Sequence, residues 1–254
     1  MRIRINITKS IHENAARYYE DAKEARKKIE GLEQAIKETE GELEKVRKAG
    51  VEKKEVRVQR KREWFEKFNW FNTSGGKLAV GGRNAQQNDQ VFGSYMEGSD
   101  LFFHADIQGG SAIILKNGAE ADEQELRETA QFAASYSKAW RNANAAVDVY
   151  AVKKEQVSKH AAGGFIPTGA FAIIGKRIWF RGTPLAVRVG KSETGLEIVP
   201  DCSKKKLEGE ARLVPAKTGK EKGALAKELA KRFQAHPDEL LELLPNGKTK
   251  ISKS

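Results

Sequence analysis

Apolar residues in the first fifty positions recur at spacings that alternate between four and three, the heptad pattern of a helix that pairs with another helix. Ser10 and Glu13 form a capping-box signature, which predicts that this helix begins at Ile11. The pattern predicts a long helical arm because it continues for about five heptads, at Ile11, Ala15, Tyr18, Ala22, Ala25, Ile29, Leu32, Ile36, Thr39, Leu43 and Val46.

The heptads stop at residues 49–50, an alanine and a glycine, and residues 51–68 are again compatible with a helix. This arrangement favours an antiparallel helical hairpin over residues 1–68 with its tip near Gly50, and a dimeric coiled coil is the alternative. Residues 45–62 hold nine Lys or Arg against two Glu, so the tip of the arm is predicted to be strongly basic.

Five aromatic residues fall within residues 64–71, WFEKFNWF. Such a density is costly in water, so we expect this segment to be where the arm docks into a globular core. A platform on which nucleic-acid bases stack is the alternative.

The rest of the chain alternates between strand and helix patterns, and the fold class is predicted to be α+β. Residues 69–200 are expected to form a mixed domain with a central sheet and two main helices. The helices are predicted from an N-cap at Asn84 to about Met96 and over residues 123–143; the strands are predicted at residues 77–80, 101–107, 111–116, 145–152, 170–180 and 184–189. Residues 201–254 are interpreted as a basic linker, residues 204–222, followed by two short helices.

Composition restricts the class of protein. The 254 residues carry a formal net charge of +11, which favours polyanionic partners. Cys202 is the one cysteine, so no disulfide framework is predicted, and no clustered Cys/His pattern indicates a metal site. The sequence lacks a secretory signal and any apolar run long enough for a membrane span. A cytoplasmic protein without a cofactor or a membrane partner is therefore expected.

The stretch VGGRNAQQND, residues 80–89, places two glycines and an arginine between a predicted strand and a predicted helix. It lacks the glycine and lysine spacings of nucleotide-binding loops, so nucleotide hydrolysis is not predicted. A backbone-phosphate contact through Gly81, Gly82 and Arg83 is one interpretation. A tight turn that needs a positive φ at Gly81 or Gly82 is the other.

A possible metal or nuclease centre is suggested by Asp100, His104 and Asp106. Strand alternation places His104 and Asp106 on one face, yet the acid-x-lysine pattern of nucleases fails because Ile114 precedes Lys116 at the critical position. A buried His104 that hydrogen-bonds a nearby carboxylate is favoured. No set of nucleophile, base and orienting group is found anywhere, so no enzyme activity is predicted.

Residues 156–177 combine glycines with cations, among them Lys159, Lys176 and Arg177. Cations among glycines suit close contact with a phosphate backbone.

Five stretches, WFEKFNWF, VGGRNAQQND, GSDLFFHADIQGGSAIILKN, SYSKAWRNA and QVSKHAAGGFIPTGAFAIIGKR, closely resemble the NFACT-R region of the NEMF/FbpA/Caliban family. ITKSIHENAARYYEDAKEARKKIEG resembles the coiled coil that precedes it. By motif, the positions carried over are Gly81, Gly82, Arg83, Asp100, His104, Ser111 and the pair Ser158 and Lys159.

This resemblance implies an archaeal-type ribosome quality control factor that binds the large subunit carrying an obstructed peptidyl-tRNA. Several family members recruit charged tRNA to extend the stalled chain without a template. Full-length members carry an NFACT-N domain and helix-hairpin-helix elements first, and nothing before Ile7 resembles them. A fragment or a shortened member is therefore expected, and tail synthesis is not predicted for it.

Three functional hypotheses follow. In the first, the chain binds large-subunit ribosomal RNA and tRNA. In the second, it is a metal-dependent nuclease centred on Asp100, His104 and Asp106. In the third, the coiled coil is a scaffold that recruits a ubiquitin ligase or another protein. The first is favoured, with RNA contacts at Lys53, Lys54, Arg57, Arg60, Lys61, Arg62, Gly81, Gly82, Arg83, His104, Ser111, Lys159, Lys176 and Arg177.

Overall fold

The computed structural model describes residues 6–8, 10–48, 63–161 and 164–252. Its contacts divide the chain into two units, Met1–Lys61 and Arg62–Ser254, which are taken one at a time below. A helix followed by a domain of mixed helix and sheet agrees with the predicted α+β class. Within the described residues, no helix is both long enough and apolar enough to cross a membrane.

The first unit contains one long helix, α1, over Ile11–Lys48. The predicted capping box is confirmed, because the Ser10 N–H donates to Glu13 Oε2 at 2.8 Å and the Glu13 N–H donates to Ser10 Oγ at 3.2 Å. The heptad residues Ile29, Leu32 and Ile36 are 54%, 63% and 56% exposed. The second half of the predicted hairpin and the basic tip, residues 49–62, lie outside the described residues, so the coiled coil stays a prediction.

The second unit contains the strands and the remaining helices. The strands in chain order are β1 (Asn69–Asn72), β2 (Leu78–Gly81), β3 (Leu101–Ala105), β4 (Ile113–Leu115), β5 (Ala146–Lys153), β6 (Val157–Ser158), β7 (His160–Ala161), β8 (Gly164–Phe165), β9 (Ala172–Ile173), β10 (Ile178–Pro184), β11 (Val187–Ser192), β12 (Gly195–Pro200), β13 (Glu208–Lys220) and β14 (Thr249–Ser252). The helices are α2 (Ala85–Gln90), continued by a π-helical turn at Val91–Tyr95, α3 (Glu123–Ser135), α4 (Lys138–Arg141), α5 (Lys222–Phe233) and α6 (Pro237–Leu243).

All strand pairs are antiparallel. The central sheet has the order β1-β2-β4-β3-β5-β10, and a second sheet has the order β12-β11-β13-β14. The pairs β6-β9 and β7-β8 form two short ribbons. The central sheet therefore contains the strands that were predicted at residues 77–80, 101–107, 111–116 and 145–152, and β1 is an addition.

Two apolar clusters use opposite faces of the central sheet. Phe103 and Ala151 belong to the larger cluster, which contains α3 and extends to residues of the second sheet and of α5. Phe102 and Val152 belong to the smaller cluster, which includes Val91 of the π-helical turn. Because side chains alternate along a strand, β3 and β5 contribute to both clusters.

The predicted linker over residues 204–222 is wrong for its larger part, because Glu208–Lys220 is a strand paired with β11 and β14. Ala211 and Leu213 are buried in the larger cluster, and this alternation is what forms the strand. The lysines that suggested a linker sit around that core segment. The two short helices predicted after it are present as α5 and α6, and both pack into the same cluster rather than forming a separate tail.

Three other predicted elements are divided or changed. The predicted helix over residues 123–143 is interrupted after Ser135, where Ser137 Oγ accepts from the Ala139 N–H and caps α4. The strand predicted over residues 170–180 is broken by a turn with Gly175 at φ +84°. The aromatic segment is not a helical end, since residues 69–72 form β1. Its burial in the core of this unit is as expected, because Phe68 and Phe71 are 0% and 2% exposed.

Candidate nucleic-acid interface

A cleft of about 970 Å³ lies in the second unit. It is bordered by parts of all five quoted stretches: Asn69, residues 82–85 and 88, residues 102, 104 and 108–111, residues 136–138 and 141, and residues 168–171. Tyr150 of β5 and C-terminal residues, including Lys222 and Asn246, complete the lining. Segments far apart in sequence therefore meet around one concavity.

The glycine pair of residues 81–82 allows two segments to approach closely. A Cβ at Gly82 would lie 2.4 Å from the backbone N of Asn88, and a Cβ at Gly81 would lie 2.0 Å from Ile113 Cδ1. Ser111 Oγ donates to the Gly82 carbonyl at 2.6 Å, which ties the two motif loops together. Neither glycine has a positive φ, so the predicted left-handed turn is wrong. Glycine is required at both positions because any side chain would collide with the neighbouring segment.

Arg83 is held at the edge of the cleft by its neighbours. Gln87 Oε1 accepts from the Arg83 N–H at 2.9 Å. Asn84 does cap α2, since its Oδ1 accepts from the Gln87 N–H at 2.8 Å. The guanidinium donates to the Phe68 carbonyl at 3.0 Å. These contacts fix both the backbone and the guanidinium group of Arg83, which is half-buried.

An aromatic row crosses the sheet beside the cleft. His104 of β3 is opposite Tyr150 of β5, and Tyr150 is opposite Trp179 of β10, with ring centroids 5.9 Å and 5.6 Å apart. Phe171 lines the cleft from the segment between β8 and β9. Burial lowers the pKa of His104, against smaller opposite effects of backbone groups at Ala105 and Gly110 and of Asp106. The imidazole is therefore neutral at neutral pH, a flat surface without charge.

Four cations line the cleft: Arg83, Lys138, Arg141 and Lys222. Lys138 and Arg141 are exposed, whereas Lys222 is half-buried and donates to Asn246 Oδ1 at 3.0 Å. Burial, and then the charge of Arg83, lower the pKa of Lys222 to about 8.

Two carboxylates also line the cleft, Asp238 and Glu242 of α6. Asp238 lies 3.2 Å from His236 Nδ1. Tyr136 attaches the same part of the chain to the cleft by a hydrogen bond to the Leu243 carbonyl. The cleft therefore has four cations against two carboxylates, and α6 forms part of its wall.

Three predicted cations lie outside the cleft lining. Lys159 Nζ pairs with Asp89 Oδ1 at 2.7 Å and donates to the Ala170 carbonyl at 2.8 Å, so it anchors the loop that borders the cleft. Lys176 is exposed. The Arg177 guanidinium lies 4.8 Å from the Tyr150 ring centroid and therefore extends the aromatic row.

Asp100 has a structural role. Its buried carboxylate accepts from Lys116 Nζ at 2.7 Å and from the backbone N–H groups of Asn117 and Glu97 at 2.9 Å and 2.7 Å. Burial alone would lower the pKa of Lys116, but hydrogen bonds to Asp100 and Glu97 outweigh it, so that pKa is raised. In the part of the chain that is described, no group of three or more His, Cys, Asp and Glu could hold a metal ion.

Several cleft residues were missed as site residues by sequence reasoning: Tyr136, Lys138, Arg141, Tyr150, Phe171 and Lys222. The stretch SYSKAWRNA held a signal, because Ser137 is a helix-capping residue followed by two cations three positions apart. The sequence around Lys222 held no such signal, because the segment was interpreted as a linker.

A basic cleft bordered by aromatic side chains is the arrangement expected of a nucleic-acid-binding domain. Comparison with known proteins agrees, because residues 67–175 match the family described as "NFACT protein RNA binding domain". The chain belongs to the NFACT family, as its motifs indicated.

Three relatives illustrate the similarity. The chain is 38% identical over 211 residues to "Archaeal Rqc2 homolog aRqcH" of Methanocaldococcus jannaschii, which covers 79% of this chain and 31% of that protein. It is 37% identical to "Ribosome quality control complex subunit NEMF homolog" of Drosophila melanogaster, over 68% of this chain and 18% of the relative. The chain is 35% identical to the human "Ribosome quality control complex subunit NEMF", over 65% of this chain and 16% of the relative. The chain thus spans less than a third of each relative.

Proposed function

We propose that the chain is the RNA- and ribosome-binding module of a ribosome quality control factor, that it acts in the cytoplasm, and that the cleft is its RNA contact. The observation that carries the proposal is the meeting of five family motifs and four cations around one cleft. The names of the relatives support the quality-control role. The physiological ligands proposed are tRNA and the large subunit with its stalled peptidyl-tRNA.

The proposed binding is electrostatic in its larger part. Lys138 and Arg141 are exposed at the cleft and are placed to neutralise phosphates. Each neutralised phosphate of a single strand contributes about −0.7 to the slope of log affinity against log salt. We therefore propose a binding module rather than an enzyme, with an affinity that falls steeply as salt is raised.

The arm is proposed as a second contact. Its six tip cations, Lys53, Lys54, Arg57, Arg60, Lys61 and Arg62, are proposed to bind ribosomal RNA. A protein-interaction role is a second candidate function, favoured by the exposed seam of α1 at Ile29, Leu32 and Ile36. That seam suits the return helix of a hairpin, a second copy of the chain, or a quality-control partner such as a ubiquitin ligase.

The test measures binding to purified large subunits and to tRNA across a salt series. A cleft variant, Lys138→Glu with Arg141→Glu, is compared with Lys206→Glu with Lys227→Glu, which changes two exposed lysines away from the cleft by the same charge. The cleft variant is expected to lose tRNA affinity by at least about ten-fold, and the control much less. Reversal of the six tip cations is expected to reduce subunit binding. Equal losses in the cleft variant and its control would overturn the cleft as the RNA contact.

A further inference from the structure

The wall of the cleft offers flat, weakly polar surfaces. His104 packs against Gly110 so closely that a Cβ at residue 110 would lie 2.9 Å from the imidazole. Tyr150 supports this ring from the next strand, and Phe171 lies on the same side of the sheet. Bases that are not in a helix are recognised by stacking on such side chains.

A cationic position accompanies that wall. Arg83 and Lys222 line the same cleft, and the charge of Arg83 contributes, after burial, to the lowered pKa of Lys222. The Lys222 ammonium group donates a hydrogen bond to the neutral amide of Asn246 at 3.0 Å. Two like charges held together in a half-buried cleft cost free energy, and a bound anion between them offsets that cost. A phosphodiester is such an anion.

The dimensions of the cleft favour an unpaired nucleotide. A volume of about 970 Å³ falls within the range of sites that enclose small molecules. Double-stranded RNA is instead read by shape along extended surfaces that cross successive grooves. The exposed Lys138 and Arg141 at the same cleft suit the phosphates that flank an enclosed nucleotide.

Building on the proposed RNA-binding role, we propose that the cleft accepts one unpaired RNA nucleotide, with its base against His104 and Tyr150 and its phosphate between Arg83 and Lys222. The ligand class is then single-stranded or bulged RNA, and a continuous duplex binds only through surface charge. His104 and Lys222 become specificity-determining residues, one for the base and one for the phosphate.

The first experiment measures fluorescence anisotropy of the full chain with labelled oligoadenylate, with a blunt duplex of equal length, and with the same duplex carrying one bulged adenosine. Tighter binding of the single strand and of the bulged duplex than of the blunt duplex is expected, by about ten-fold or more. Equal affinity for all three would overturn the inference while leaving the RNA-binding proposal in place. No binding of any RNA would overturn both.

Matched variants separate base from phosphate. His104→Leu is expected to reduce single-strand affinity by about ten-fold, whereas His104→Phe, which keeps a flat ring, is expected to retain most of it. Lys222→Gln is expected to weaken binding, and Lys227→Gln, an exposed lysine of the same helix, is the control. If His104→Leu binds normally and inorganic polyphosphate competes fully, the cleft is an anion site only and the inference fails.

A measurement on the unmodified protein avoids dependence on the folding of variants. A single strand containing 5-iodouridine is crosslinked by light and the attached peptides are identified by mass spectrometry. Crosslinks are expected at His104, Tyr150 or Phe171. Crosslinks confined to peptides outside the cleft would overturn the assignment even if every variant had lost its fold.

Discussion

The two faces of the central sheet are built from the same strands and differ in what covers them. On one face, Phe103 and Ala151 are fully buried in the cluster that contains α3. On the other, Phe102 and Val152 are buried beneath the segment that follows α2, but their neighbours His104 and Tyr150 border a cleft. One strand therefore supplies buried core residues to one face and cleft-lining residues to the other. Substitutions at adjacent positions are expected to have different consequences.

The largest expected effect comes from a substitution on the face of the sheet that the larger cluster covers. Phe103→Ala is expected to lower the free energy of unfolding by about 3–5 kcal/mol, because it leaves a cavity in a closely packed cluster. Urea titration followed by circular dichroism measures this change. Phe103→Leu, which retains most of the volume, is the control and is expected to lose less. An unfolding free energy unchanged in Phe103→Ala would contradict the assignment of this face to stability.

A smaller effect is expected at the cleft itself. Lys138→Ala with Arg141→Ala is expected to leave the free energy of unfolding within about 0.5 kcal/mol, since both residues are exposed. The slope of log affinity against log salt for single-stranded RNA should become shallower by about 1.4 if each contacts one phosphate. Anisotropy titrations at several salt concentrations determine that slope. An unchanged slope would show that neither residue contacts phosphate.

The pH dependence of RNA binding tests the proposed role of Lys222 in the cleft. Burial and the charge of Arg83 lower the pKa of Lys222 to about 8, and Tyr136, Asp238 and Glu242 line the same cleft. As pH rises from 7 to 9.5 the lysine loses its proton, so affinity for oligoadenylate is expected to fall. Lys222→Arg keeps its charge over this range and should remove most of the fall. A decline of equal size in both proteins would assign it to another group.

The smallest expected effect concerns stability in acid. Because the pKa of His104 is lowered in the folded chain, the unfolded chain binds more protons just below pH 6.5. This residue therefore contributes stability that is present above about pH 6.5 and is lost as the pH falls through the folded pKa. Thermal melts at pH 5 and 7 should show a smaller difference for His104→Phe than for the unmodified chain. A larger difference would contradict the sign.

Local patterns predicted much of the fold. The capping box at Ser10 and the apolar runs of β3 and β5 follow from spacing within a few residues, and each lies where it was expected. The strand β13 was missed because lysines and glycines around its buried positions resemble a linker. Its partners β11 and β14 are distant in sequence, and pairing with them determines its structure.

The candidate site was predicted less completely. Arg83, His104 and Ser111 were identified from motifs and line one cleft. Lys159 was identified from the same motifs but lies outside the cleft lining, and its ammonium group anchors a loop. Lys222 becomes a site residue only through the packing of α5 and α6, which no short motif encodes.

The contacts of β14 bear on the time at which the cleft is completed during synthesis. Trp140 Nε1 donates to Thr249 Oγ1 at 2.9 Å, and a Cβ at Gly247 would lie 2.8 Å from the Arg141 Cα. Helix α4, which bears Lys138 and Arg141, therefore packs against residues translated more than a hundred positions later. All strands of the central sheet are translated before residue 222, whereas the lining of the cleft is complete only when residues 222–246 have been translated.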